Sequence, residues 1–300
     1  MGVSNQPASQ FFGYPNVFEC VDLSIQSKKD INIGSLQLTP TYLMKKILTL
    51  TSAFCLAASF ANAQTVVQFN FDGAADQTID NLSADVGTGT WDNALTNVAT
   101  NGSGALVNGG STPGGSSGSG TNLDITDLTS GIYEFVASEV VFNGIGGGSD
   151  DTIGFGFRTN ASGNPIGGSG FDLIGINVGN INSSGTLDAT LHISGAIDQT
   201  VNDFAATAGT YSFIAQYNLG ADTASFFYDS GSGRNQIGTT ISGITANATH
   251  LGFSSTVVDF GGGDNVEVGG LTLTQVPESS AYALIAGLLS LSWIMVRRRK

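Results

Sequence analysis

The sequence predicts an all-β fold, an antiparallel β-sandwich, flanked by an N-terminal signal-peptide helix and one short C-terminal transmembrane helix. Three observations carry this expectation. Apolar residues recur with period two in several runs between 64 and 275, and no long segment there holds a 3.6-residue period. Clusters of Gly, Ser, Asn and Asp, the residues that tolerate turn geometry, separate the runs. Composition agrees: 42 glycines, 18 phenylalanines and 11 % charged residues suit a sheet protein, and 41 % hydrophobic residues suffice for a core.

The N-terminal segment has the three parts of a secretory signal. In MKKILTLTSAFCLAASFANAQ, Lys45 and Lys46 are the charged region and Ile47 to Ala58 the apolar one. Ala61 and Ala63 are the small residues of a cleavage site before Gln64. The apolar run is too short to cross about 30 Å of hydrocarbon. The signal spans 44–63, so 1–43 reads as a mis-assigned extension, with translation starting at Met44. Both cysteines, Cys20 and Cys55, precede Gln64, which leaves the mature body without thiol or disulfide chemistry.

Between Gln64 and Gln275 the strands follow in order. TVVQFNF sets Val67, Phe69 and Phe71 on one face; GIYEFVASEVVF is long and β-rich; DTIGFGF alternates Ile153, Phe155 and Phe157. TLDATLHI places Leu187, Ala189, Leu191 and Ile193 on one face, with Asp188, Thr190 and His192 on the other, wet one. TYSFIAQYNL and TASFFYD form a hairpin around Gly220, Ala221 and Asp222, and NVEVGGLTLTQ closes the body. The Gly/Ser-rich stretch 108–120 reads as a flexible loop within one sandwich, because the residues before it are too few for their own core.

Ala281 to Val296 is an uncharged apolar stretch, about 24 Å long as a helix. Arg297, Arg298, Arg299 and Lys300 form a topological stop on its cytoplasmic side. Val276, Pro277 and Glu278 precede it, and proline keeps that approach extended. This order of short motif, helix and basic end (276–300) resembles a PEP-CTERM sorting signal, with Ser279 where the second proline usually stands. The resemblance implies export across the inner membrane of a Gram-negative, exopolysaccharide-making bacterium and transient anchoring by the C-terminal helix. Exosortase would then process the chain at the cell surface or for release.

Charge excludes some functions. Between Gln64 and Pro277 stand twenty Asp and Glu against two arginines, Arg158 and Arg234, a formal charge of −18. Such a surface repels phosphate backbones and anionic headgroups, so nucleic acid is not an expected partner.

The runs GTYSF, ADTASFFYD and DNVEV across 65–274 are similar to concanavalin-like or laminin-G-like jelly rolls. That resemblance implies a carbohydrate-binding or adhesive lineage with glycan-cleaving relatives. Glu134 and Glu139 are the candidate carboxylate pair for hydrolysis, but a spacing of five sets them on opposite faces of a regular strand. His192 and His250 fit no metal or triad spacing and read as surface residues, and Gly146 to Gly148 lacks the Lys-Ser/Thr of a phosphate loop.

Calcium suits the turns GSDD at 148–151 and GGGDN at 261–265, and Asp72 with Asp264 or Asn265 is the candidate site. Trp91 and Tyr228 are candidate platforms for stacking on sugars. The expectation is therefore an exported, exosortase-sorted protein of the surface or extracellular matrix. Its sandwich would be structural, adhesive or carbohydrate-binding, need no cofactor beyond optional Ca2+, and meet polysaccharide. The alternative is a glycan hydrolase or lyase on the same scaffold.

Overall fold

A computed structural model of the chain describes residues 63–75, 77, 79, 82–92, 98–108, 119–125, 128, 130–143, 152–160, 171–179, 181, 185–256, 265–277 and 287. These lie in the unit Ala53–Lys300. Sixteen strands run through them. The first eight are β1 (Gln64–Asn70), β2 (Trp91–Asp92), β3 (Val98–Thr100), β4 (Leu106–Asn108), β5 (Ser119–Asp124), β6 (Ile132–Asn143), β7 (Thr152–Arg158) and β8 (Ile174–Gly179). The rest are β9 (Thr186–Ile193), β10 (Ala196–Ala206), β11 (Thr210–Asn218), β12 (Thr223–Asp229), β13 (Arg234–Ser242), β14 (His250–Thr256), β15 (Asn265–Val268) and β16 (Gly270–Val276).

They form two antiparallel sheets. One has nine strands in the order β13-β12-β11-β6-β15-β4-β3, with β16 pairing both β6 and β1; the other has seven, β10-β9-β8-β7-β14-β5-β2. The chain passes repeatedly between them, so the molecule is an all-β antiparallel sandwich. The segment after β4 leads from the nine-stranded sheet to β5 of the seven-stranded one.

Alternation explains the core. Val67, Phe69, Phe71, Phe135, Phe213 and Leu273 of one sheet meet Ile153, Phe155, Phe157, Ile176, Leu191 and Phe253 of the other in a single apolar cluster. Edge-to-face rings join the sheets: Phe135 lies 5.7 Å from Phe155, and Phe157 lies 5.6 Å from Tyr217. The hairpin at Gly220 to Asp222 forms, with Asp222 at φ 53° and Asn218 Oδ1 accepting the Ala221 N–H at 3.0 Å.

First and last strands are neighbours. β1 lies antiparallel to β16 from Gln64↔Gln275 to Asn70↔Gly270. The closing run divides at Gly269, whose N–H donates to Ser138 O at 3.0 Å beside a bulge in β6. The two sheets also touch at an edge. The Gln199 amide of β10 donates to Thr239 O at 3.2 Å and accepts the Thr239 N–H at 2.9 Å, the two bonds a neighbouring strand would make.

One expectation is corrected. The outer face of the seven-stranded sheet is not wet: β7 and β8 are buried on both faces, and Asp188 and His192 are 0 % and 1 % exposed. The signal-peptide helix lies outside the described residues. So does the transmembrane helix except for Gly287, and among the described residues no helix is long and apolar enough to cross a membrane.

Candidate functional site

Residues that alternate with the core positions of β5, β14, β7, β8 and β9 build the outer face of the seven-stranded sheet. Register aligns them in rows. One row runs Asn122, Gly252, Gly156, Gly175 and His192 across five adjacent strands. The next runs Ser254, Gly154, Asn177 and Thr190. Glycines thus make the floor in the middle of the sheet, and polar side chains stand around it. Glycine inside a strand weakens it locally and marks close approach by another group.

The approaching group is Phe171. It is 0 % exposed, yet it stands outside the apolar cluster between the sheets. A methyl group at Gly175 would lie 2.5 Å from its Cβ, one at Gly154 3.2 Å from its Cε2 and one at Gly252 3.2 Å from its Cε1. The ring therefore lies across β8, β7 and β14. The same methyl at Gly154 would lie 2.5 Å from Ser254 Oγ, and that at Gly252 2.8 Å from Arg158 Cδ.

The segment carrying Phe171 is tied at several points. Gly195 N–H donates to Phe171 O at 2.8 Å and Ser194 N–H to Leu173 O at 3.1 Å. Asp172 accepts from Arg158 Nε at 3.3 Å, the Thr159 N–H at 3.1 Å, the Thr159 hydroxyl, and Asn160 Nδ2 at 2.8 Å. Arg158, 2 % exposed, also donates through Nη1 to Asn122 Oδ1. A buried guanidinium between a carboxylate and an amide oxygen is well satisfied.

His192 shares a 2.8 Å hydrogen bond between Nε2 and Thr190 Oγ1, while its Nδ1 is buried without a partner among the described residues. Burial holds the imidazole neutral, its pKa lowered from 6.5 to about 4. Asp188 Oδ1 accepts the Asp203 N–H at 2.8 Å. At the rim, His250 Nε2 stands 3.8 Å from Asp124 Oδ1, and the Asp124 side chain is 86 % exposed.

Both arginines of the body are spent internally, Arg158 on Asp172 and Arg234 on Glu134. Large apolar side chains left exposed among the described residues are Val86 and Ile197, too few for an apolar docking patch.

The candidate residues from the sequence fall as follows. Glu134 is 7 % exposed and held by Arg234 and by Gln216 Nε2 at 2.7 Å. Glu139 is exposed at a left-handed bulge, φ 52°. The bulge lifts the opposite-face objection, but five residues of strand rise still set the two Cα atoms about 16 Å apart. A retaining pair needs its carboxyl groups about 5–5.5 Å apart, and the Glu134 carboxylate is already paired with Arg234.

His192, read as a surface residue, is buried, with its Nε2 sharing a hydrogen bond with Thr190 Oγ1. Trp91 is also corrected as a sugar platform, because it is buried, whereas Tyr228 is half-buried. Trp91 is 1 % exposed with its ring 5.3 Å from Phe69, and Tyr228 packs 5.2 Å from Phe204 and donates to Phe204 O at 3.3 Å.

Asp72 is exposed at the end of β1, its Oδ1 3.3 Å from where a Gly104 methyl would be. Asn265 begins β15, whose Val268 pairs with Leu106 and Val266 with Asn108, so the ladder runs away from Gly104 toward Asn265. Asp264 lies outside the described residues, among which no group of His, Cys, Asp or Glu could hold a metal ion. Ala63, Gln64, Val276 and Pro277 are described, whereas Ala61, Glu278 and Arg297 to Lys300 are not. The acidic turns at 148–151 and 261–264 likewise lie outside the described residues.

The glycine floor was the feature that sequence reading missed. Its signal was present: Gly154 and Gly156, then Gly175 and Gly179, occupy the alternate positions of runs whose apolar residues face the core.

No protein-family model matches the chain, and no curated protein matches it. Solved structures do show similarity in chain course. Lectin II from Ulex europaeus is 14 % identical, with 71 % of this chain and all of that chain covered and a TM-score of 0.47. The metal-free exoplasmic/lumenal domain of VIP36 is 10 % identical over 68 % of this chain and 92 % of its own, with a TM-score of 0.45. An endo-1,3-beta-glucanase from Streptomyces sioyaensis is 12 % identical over 72 % and 97 %, also at 0.45.

Proposed function

We propose that this is an exported protein of the bacterial envelope or extracellular matrix that binds neutral polysaccharide through the outer face of its seven-stranded sheet. One observation carries the reading: a backbone floor of glycines rimmed by Asn122, Asn177, Thr190, Ser254 and Arg158. Phe171 covers this floor in the chain alone, so a flat, hydroxyl-rich ring would reach the backbone only by displacing that side chain. The Asn177 amide and the Thr190 and Ser254 hydroxyls would then supply donors and acceptors for sugar hydroxyls, while Arg158 and Asn122 bond each other and stiffen the rim. The acidic body favours neutral over anionic polymers, because like charge repels the latter.

Export would proceed by removal of 44–63 before Gln64, then transient anchoring by the C-terminal helix and processing by exosortase near Val276, Pro277 and Glu278. The period-two body without cysteine and the paired targeting segments support this course. Calcium is an optional stabiliser of the turns in this reading, not a participant on the polar face.

The test is retention of the full-length chain, expressed in a Gram-negative host, on a panel of insoluble neutral and acidic polysaccharides with and without millimolar calcium. Retention on a neutral polymer in both conditions is expected, with N-terminal sequencing giving Gln64. Retention on none of the panel overturns the binding reading, and release of reducing sugar from any of them turns it toward hydrolysis.

A further inference from the structure

We propose that the Arg234–Asn235 peptide bond is a nicking site for a trypsin-class protease, one that selects a cationic side chain, and that Glu134 is its latch. The proposal starts from charge and stands apart from the polysaccharide reading. Between residues 47 and 296 the chain has no lysine and two arginines, Arg158 and Arg234. An acidic specificity pocket therefore finds two candidate bonds in the whole body.

The fold treats the two differently. Arg158 ends β7, which lies inside the seven-stranded sheet between β8 and β14. It is 2 % exposed, held through Nε by Asp172 and through Nη1 by Asn122. Its peptide bond becomes reachable only when the sheet comes apart. Arg234 opens β13, the edge strand of the other sheet. Residues 230–236 are all exposed, and 230–233 read Ser-Gly-Ser-Gly, the kind of small, polar tip at which chains are most readily cut. Asp229 Oδ1 accepts the N–H groups of Gly231 at 2.7 Å and Gly233 at 3.1 Å and fixes the tip.

A protease takes its substrate extended, so the tip and the first residues of β13 must leave the sheet before the cut. Among the described residues no strand pairs with the outer edge of β13, so departure breaks the ladder on one side only. The pairs lost are Arg234↔Asp229, Asn235↔Tyr228 and Gln236↔Phe227. Fraying stops at Ile237, 1 % exposed, and at the Gln199 bonds to Thr239. What holds the start of the strand is the guanidinium, forked on Glu134 of β6 and lying over the Phe227 ring. The cation that a protease must grip is the one Glu134 already holds. Release of the fork frees the strand end and the specificity side chain together.

The cut adds water across one bond: the Arg234 carbonyl carbon gains the hydroxyl, the Asn235 nitrogen gains the proton, and the protease is regenerated. The two pieces stay joined. In the C-terminal piece β14 sits between β7 and β5, and β16 between β1 and β6, with Leu251, Phe253, Leu271 and Leu273 fully buried. Nicking thus yields a two-chain body rather than degradation.

The test is timed trypsin digestion of the full-length chain under native conditions, with fragments identified by mass spectrometry. The wild-type body is expected to be cut slowly after Arg234 with Arg158 intact, and its two pieces to co-elute on size exclusion. Glu134→Gln should be cut after Arg234 about tenfold faster, again with Arg158 intact, because a looser latch raises the open population. Arg158 is the internal control, since global unfolding exposes both bonds. Cutting after Arg158 and Arg234 at one rate in wild type overturns the proposal, as does the absence of any cut after Arg234. Equal rates for wild type and Glu134→Gln remove the latch, and pieces that separate remove the two-chain form. If Glu134→Gln itself loses both bonds together, it has unfolded. Glu134→Asp, which keeps the buried charge but shortens its reach, is then read by the same criteria.

Discussion

Arg234 grips Glu134 with two parallel hydrogen bonds, Nη1 to Oε1 at 2.6 Å and Nη2 to Oε2 at 2.9 Å, from β13 to β6. Its guanidinium also lies 5.1 Å from the centre of the Phe227 ring, and hydrogen bonding to Glu134 raises its pKa. The carboxylate is nearly buried, whereas the arginine side chain is 43 % exposed. Removing the cation therefore strands a desolvated anion.

Arg234→Ala should cost about 1–2 kcal/mol, a figure reduced from that of a fully buried pair because the arginine is partly solvated. In a domain of this size that lowers Tm by roughly 3–6 °C. Arg234→Lys should recover only part, because it cannot reproduce the bidentate geometry. Thermal melts of the three proteins check this.

His192 sets a pH dependence. Its folded pKa of about 4 lies below the unfolded 6.5, so the unfolded chain takes up the proton first as pH falls. The stability associated with neutral His192 is complete above pH 6.5 and declines progressively from there to about pH 4. The loss is on the order of 3 kcal/mol at its lower end. Below that both states are protonated and the loss is constant. Melting from pH 7.5 to 4 should show a steeper fall for wild type than for His192→Gln; equal slopes would refute the assignment.

A methyl at Gly175 would lie 2.5 Å from Phe171 Cβ. Gly175→Ala should then destabilise by roughly 1–3 kcal/mol through overpacking. In a Phe171→Gly background the same change should cost much less, because the Cβ that a Gly175 methyl would meet is gone together with the ring. A double-mutant cycle in urea measures this coupling.

Gln199 occupies the exposed edge of β13 as a strand would. Gln199→Ala should lower stability by about 1 kcal/mol and leave Thr239 free to pair with another molecule. Light scattering at rising protein concentration should detect self-association in the variant and not in wild type.

Strands were legible in the sequence wherever one face was apolar. TLDATLHI corresponds residue for residue to β9, and Leu187, Ala189 and Leu191 are all fully buried. The state of the opposite face was not legible. Asp188 and His192 occupy polar positions in the local pattern, yet they are buried. Period two reports which side a residue faces, not what lies above it. The glycines were silent for a related reason: Gly154 was read only as part of the run DTIGFGF, while in the sheet Gly154 and Gly175 provide room for a ring. Glu139 shows the same limit, since a left-handed bulge re-aims it in a way that counting residues does not reveal.

The pairing of Gln64 with Gln275 has a mechanical consequence. The outer ends of β1 and β16 leave the sheet side by side, and antiparallel hydrogen bonds run perpendicular to the strands. A load that pulls those two ends apart acts on one bond at a time and unzips β1 from β16 from Gln64 toward Asn70. A load borne only through β16 and the polar face would leave that zipper unstressed. Held at its C-terminal end and gripping polymer with its sheet, the sandwich would resist tension well; stretched between its two strand ends, it would yield first at Gln64.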